Sequence, residues 1–233
     1  MLTRLGIIYI GRKTWNDAKT VFLHILKEST YHSFAWRYLG IALTNLEEYS
    51  SAEEALNEEI SLDIENPFAW AYLTIYCIKV ERKEQAMACL NELIKMKFKH
   101  VETTADIAML FYKNSDYNIA ANLYRRIMMI DKTYIDAQVK LAEIYYMKFE
   151  EQKKKEAIDI LKNAIQFASD EKEKNGIIEV IQLYENQMDY SHNSQYNNGE
   201  MSKSDNANKT GRMDLSLHSN INADDSEIKD NFS

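Results

Sequence analysis

Residues 33–70 read SFAWRYLGIALTNLEEYSSAEEALNEEISLDIENPFAW. Trp36 and Trp70 stand 34 residues apart, with Leu39, Gly40, Tyr49, Ala52 and Leu56 between them in a fixed order. A step of 34 towards the N-terminus recovers the order as Leu5, Gly6, Trp15, Ala18 and Phe22. A step towards the C-terminus gives Leu73, Thr74, Cys77, Ala86 and Leu90, and the next gives Ile107, Ala108, Phe111, Ala120 and Tyr124. A fifth unit opens with Leu141, Ala142 and Tyr145. Self-similarity at this period is the mark of a helix–turn–helix unit that stacks on copies of itself.

With Trp36 at position 4 of its unit, position 8 is small throughout (Gly6, Gly40, Thr74, Ala108, Ala142) and position 20 is Ala (Ala18, Ala52, Ala86, Ala120, Ala157). Small residues at both places predict that the second helix of each pair crosses the first closely there. One pair cannot bury its own apolar face, so stability must come from stacking pairs. In the fifth unit the spacing slips by three, with the extra residues in the charged stretch 149–155, which predicts a lengthened turn inside that pair. Residues 170–188 form one more amphipathic helix. Ile177, Ile178, Ile181, Leu183 and Tyr184 give its apolar face, and Glu171, Lys172, Lys174, Glu179 and Glu185 its polar one. Such a helix suits the end of a stack. The fold expected is all-α: a solenoid of about five pairs with a C-terminal capping helix.

Composition agrees. One proline and six glycines in a chain that is 45% apolar favour helices. From about residue 190 Asn, Ser and Asp dominate, a composition that predicts disorder. The domains expected are therefore a packed array over 1–189 and a tail over 190–233. Within the tail, Met213, Leu215 and Leu217 form a small apolar patch, read as inert or as a docking motif, and Ser202 and Ser226 have the acidic neighbours of weak phosphosites.

A formal charge of −8 argues against a nucleic-acid groove and against an anionic membrane. The apolar patch at residues 5–10 is too short for a signal peptide, and the run 68–78 is too short to span a bilayer. These features predict a cytoplasmic protein. Cys77 and Cys89 sit at apolar positions of their helices and read as buried thiols. His24, His32, His100, His192 and His218 form no recognisable ligand set, and the glycines form no phosphate loop. No catalytic residue, metal or cofactor is expected, and the chain is read as a non-enzyme.

The period and the pattern over residues 1–168 resemble the tetratricopeptide repeat (TPR) family, which implies that the all-α solenoid is a right-handed superhelix. In that family positions 2, 5, 6, 9, 12 and 13 of the first helix line a concave groove. The resemblance implies a partner-binding set of Phe34, Tyr38, Ile41, Phe68, Tyr72, Ile75, Met109 and Tyr112. Some of these residues, on the same reading, pack against the neighbouring first helix instead. An aromatic and aliphatic trough suits the apolar face of a helix, or an extended segment, of a protein partner. Co-chaperones of the family grip a terminal carboxylate with Lys and Asn at positions 5 and 9. Here those positions hold Thr3/Ile7, Arg37/Ile41, Ala71/Ile75 and Ala105/Met109, so that clamp is not expected.

Residues 33–97 are also similar to the C-terminal repeats of a cilia- and flagella-associated TPR family, number 70 of its series. That implies a place in the axoneme or its assembly. The functional expectation is a scaffold or adaptor; a co-chaperone and a non-catalytic subunit of an enzyme complex are the alternatives. The first pair has no cap. It is either frayed with its outer face exposed, or continued by further repeats, and self-association through it is a further reading.

Overall fold

The computed structural model describes residues 2–204, with side chains to residue 188. Helices account for nearly all of it. They run α1 Leu2–Gly11, α2 Trp15–Glu28, α3 Ser33–Asn45, α4 Tyr49–Leu62, α5 Pro67–Lys79 and α6 Lys83–Lys95. They continue with α7 Val101–Lys113, α8 Tyr117–Ile130, α9 Ile135–Lys148, α10 Glu151–Ala164 and α11 Glu171–Ser204, with a 3-10 turn at Ile165–Phe167. The two helices of each pair pack on one another, from α1 with α2 to α9 with α10. Successive pairs meet through α2 with α3, α4 with α5 and α8 with α9. Odd-numbered helices also touch one another: α1 with α3, α3 with α5, α5 with α7. The result is a right-handed solenoid of five pairs whose inner face is built from the first helix of each pair.

The small-residue columns do what their size predicts. All five position-20 alanines are fully buried. A Cβ placed on Gly40 would lie 2.7 Å from Cγ and Cδ2 of Leu56, and one on Gly6 would meet the ring of Phe22. The tryptophans have a second task. The indole N–H of Trp36 donates to the Thr30 carbonyl and that of Trp70 to the Ile64 carbonyl, each at 2.8 Å. At the same position of the fifth pair, the Gln138 amide donates to the Lys132 carbonyl at 2.8 Å. In these three pairs position 4 therefore pins the entry loop, six residues upstream.

The turns inside the first four pairs also repeat every 34 residues. Lys13, Glu47, Glu81 and Ser115 each adopt positive φ, between 59° and 66°. The residue after each donates its N–H to the carbonyl five residues back, as Glu48 does to Leu43 and Arg82 to Cys77. This closes each first helix with a Schellman-type turn and satisfies a carbonyl that the helix end would leave open.

The fifth pair corrects one expectation. Its turn is not lengthened: only Phe149 and Glu150 separate α9 from α10. The three extra residues instead extend α10, which starts six residues before Ala157, where its counterparts start three before their alanine. Lys153, Lys154 and Lys155 are good helix formers, and Glu150 and Glu151 suit a helix N-terminus, so a further helical turn is favoured over a loop.

The chain divides into two compact units, Met1–Asn186 and Gln187–Ser233. In the first, α11 begins with the Asp170 carboxylate accepting the Glu173 N–H at 2.7 Å. It buries Ile177 and Ile181, stacks Tyr184 on Tyr146 with centroids 3.7 Å apart, and its Tyr184 carbonyl accepts from the Tyr146 hydroxyl at 3.0 Å. Leu183 departs from the expected apolar face: it is 52% exposed. At about 100° per residue it points roughly 120° away from Ile177, whereas Ile181 and Tyr184 fall close to it. Of the second unit, the backbone is helical through Ser204, where composition predicts disorder from 190; the stretch holds one glycine and no proline to interrupt a helix already begun. Residues 205–233, with the Met213–Leu217 patch and Ser226, and the side chain of Ser202, lie outside the described residues.

Candidate functional site

Helices α1, α3, α5 and α7 enclose a concave groove of about 620 Å³. Four of the eight residues expected to bind a partner line it together: Ile41, Tyr72, Ile75 and Met109. Ile10, Leu56 and Leu110 add to the apolar wall, and Trp15 closes the end nearest the first turn. Ile41, Ile75 and Met109 all hold position 9, so they form a row across three successive odd-numbered helices. Tyr72 is half-buried, and desolvation, with a smaller contribution from Tyr38, raises its hydroxyl above the usual tyrosine range.

The other four turn to partners within the chain. Tyr38 stacks on Phe22 of α2 with centroids 5.2 Å apart. Phe34 lies against His32. Phe68 meets Phe98 and His100 edge-on, and the Arg37 guanidinium sits 5.3 Å from its centroid. Tyr112 donates to the Glu143 carboxylate at 2.6 Å; that bond and desolvation push its phenol up to about 12. The physical reason is common to all four. Aromatic rings at the joint between pairs gain more from a ring or ion within reach than from facing water.

Sequence reading missed two parts of the site. The first is position 13, where Asn45, Lys79 and Lys113 form a second row on the groove wall. Lys79 donates to the Asn45 side-chain oxygen at 3.0 Å, and the Asn45 amide is fixed in turn by the Ile41 carbonyl at 2.8 Å. Desolvation lowers the Lys79 pKa; the Glu47 charge raises it, and Lys113 lowers it further. Lys13 lines the same end of the groove, and Asp106 faces it. Desolvation raises the Asp106 carboxyl, with Lys13 opposing the shift. Tabulating position 13 beside position 9 would have exposed this row.

The second is a buried ion pair. Arg37, at groove position 5, donates its Nε–H to Glu59 of α4 at 2.5 Å. Glu59 is fully buried and its other carboxylate oxygen has no partner. Burial outweighs the attraction of Arg37 and raises the Glu59 pKa from 4.5 to about 7. The signal was in the column. The equivalent residues of the first, third and fourth pairs are Ile25, Leu93 and Ile127, all buried, so Glu59 is a charge in a core position. The pairing also removes Arg37 from the groove as a free cation.

Cys77 and Cys89 are buried free thiols. Among the described residues, no group of three or more His, Cys, Asp or Glu side chains could hold a metal ion, and no helix is long and apolar enough to cross a membrane.

Comparison with known proteins follows the architecture. The sequence profile of the family described as "Cilia and flagella-associated protein 70 C-terminal domain" matches residues 1–179. No curated protein matches the sequence. Among solved structures, a thermophilic TPR protein of Thermus thermophilus, TTC0263, superposes with a TM-score of 0.57 at 16% identity, over 77% of this chain and 96% of that one. PilF of Pseudomonas aeruginosa gives 0.57 at 15%, over 84% and 96%. YrrB, described as a TPR protein with an unusual peptide-binding site, gives 0.51 at 15%, over 76% and 90%. At these identities the likeness is one of fold.

Proposed function

The chain belongs to the cilia and flagella-associated protein 70 C-terminal domain family, and from that premise we propose that it is a non-catalytic adaptor of the cilium or flagellum. It holds a segment of a protein partner in the groove between α1, α3, α5 and α7. The observation that carries this reading is the convergence of Ile41, Tyr72, Ile75 and Met109, from three helices, on one open cavity whose wall is part apolar and part charged. An exposed concave apolar surface of this kind marks a binding site rather than a packing defect. That YrrB is described as peptide-binding is in keeping with it. Of the remaining four residues of the expected set, Tyr38 stacks on Phe22 of α2 and Phe68 meets Phe98, contacts that hold α3 and α5 against their neighbours.

The test is co-purification from ciliated cells with tagged wild type and with a Tyr72→Ala/Met109→Ala variant. Axonemal proteins are expected with wild type, with recovery falling at least about tenfold in the variant, since central aromatic contacts dominate such interfaces. Partners retained by a folded variant would sink the groove reading. Partners drawn wholly from outside the cilium would sink the location.

A second reading, self-association, has its own observation. Leu2, Leu5, Ile7 and Ile8 of α1 are 39–49% exposed on one short helix. Light scattering should then show a dimer that Ile8→Asp dissociates; a monomer at high concentration removes the reading.

A further inference from the structure

Two parallel rows cross the groove wall. Position 9 supplies an apolar row, Ile41, Ile75 and Met109, and position 13 a polar one, Asn45, Lys79 and Lys113. The two positions are four apart on each helix, about 6 Å or one turn. The polar row carries cations without anions. Among the described residues, neither Lys79 nor Lys113 is in an ion pair; the one side-chain acceptor Lys79 has is the neutral Asn45. Glu47 lies close enough for its charge to be felt at Lys79, and Asp106 stands across the groove towards Lys13. Lys79 is half-buried, so its ammonium has given up water without gaining a carboxylate. In a chain of net charge −8 this is a local reversal of sign.

Resting on the groove reading above, we propose that the occupant is an amphipathic helix of the partner with one acidic edge. It lies along the groove, across the odd-numbered helices, with its apolar stripe on the position-9 row and Asp or Glu side chains on Lys79 and Lys113. Packed helices stand about 8–10 Å apart, so the two lysines, one on α5 and one on α7, each call for a separate carboxylate. Residues seven apart on a helix are about 10.5 Å apart on the same face, which matches that spacing. Helix-in-groove recognition with anchors at i, i+3, i+4 and i+7 is the general mode this specialises. The charges add specificity of register to the apolar contact.

The test is selection from a phage-displayed library of single helices of about fourteen residues, with the full-length chain as bait. Enriched peptides are then resynthesised with amidated ends, so that side chains are the only carboxylates. The expected result is an apolar stripe with Asp or Glu at seven-residue spacing along one edge. Affinity should fall about tenfold on Lys79→Gln/Lys113→Gln bait whose circular dichroism is unchanged. A peptide with its acids replaced by amides should bind both baits alike. Enriched helices without an acidic edge, or ones indifferent to the lysine substitutions, overturn this inference and leave the groove reading standing. If no enriched helix is lost on Tyr72→Ala/Met109→Ala bait, the groove reading fails, and this one with it.

Discussion

Arg37→Ala is expected to destabilise the protein by about 2–3 kcal/mol at pH 8, because the fully buried Glu59 loses its partner and must take up a proton to stay in the core. Against a total of about 5–15 kcal/mol for a typical domain, that is a large fraction. The same substitution should cost about 1 kcal/mol less at pH 5, where Glu59 is protonated whether or not Arg37 is present, because only the pH unit above the folded pKa separates the two proteins. In the native protein the sign follows from the raised pKa. The unfolded chain loses the Glu59 proton near 4.5, and the folded one near 7. Between those values the folded state binds more protons, so the contribution of Glu59 to stability falls as pH rises through the interval. The interval is worth about 3 kcal/mol at 1.36 kcal/mol per pH unit. Arg37 and Asp63 are the charged groups that act on Glu59. Glu59→Gln keeps an acceptor for the Arg37 Nε–H and should flatten this slope. Urea unfolding of the three proteins at pH 5 and pH 8 checks it; an unchanged slope in Glu59→Gln would refute the assignment. Replacing both partners with Leu should be neutral or stabilising, as expected where a buried pair substitutes for the aliphatic residues of its column.

Gly40→Val is expected to cost about 3 kcal/mol through overpacking. The added Cβ would meet both Cγ and Cδ2 of Leu56, which is 1% exposed, and Val adds two methyl groups beyond it. Relief therefore requires α3 and α4 to move apart. Gly40→Ala should be milder, since Ala gains about 1 kcal/mol of helix propensity over Gly, and Ala108 and Ala142 hold the same position in later pairs. The substitution has a functional arm as well. Helix α3 carries Ile41, Thr44 and Asn45 into the groove wall, so partner affinity should fall along with the melting temperature. A Val variant as stable as wild type would mean that the crossing at Gly40 is not the closest approach of the pair.

Both predictions show what the sequence made legible and what it did not. Gly40 and Ala52 were readable because size is the whole requirement at a helix crossing, and size is a property of the residue itself. The same holds for Trp36 and Trp70, which mark the period before their bonds to the entry loops are known. Glu59 was not readable alone, since a glutamate in a surface helix is ordinary; only its column, Ile25, Leu93 and Ile127, betrays it. The groove residues lie between these cases. Position 9 faces the cavity in all three central pairs. The direction taken by Tyr38, Phe68 or Tyr112 depends instead on which ring or ion a neighbouring helix offers, and that is set by tertiary contact. The three-residue slip near 150 was visible as an insertion, but whether it became loop or helix depended on local propensity.

Because each pair rests chiefly on its neighbours, and the turns that join its helices recur every 34 residues, the array should respond to mechanical load as a chain of links. Held by its two ends and stretched, it should lengthen in increments of one pair, each releasing roughly 110–120 Å of contour. The first pair, where Gly6 meets Phe22 and Phe22 meets Tyr38, should yield first, since Gly6 is the one residue that α1 buries. The groove wall built by α3, α5 and α7 would then keep its shape after the N-terminal pair has opened, and a bound helix spanning those three would act as a splint across the links.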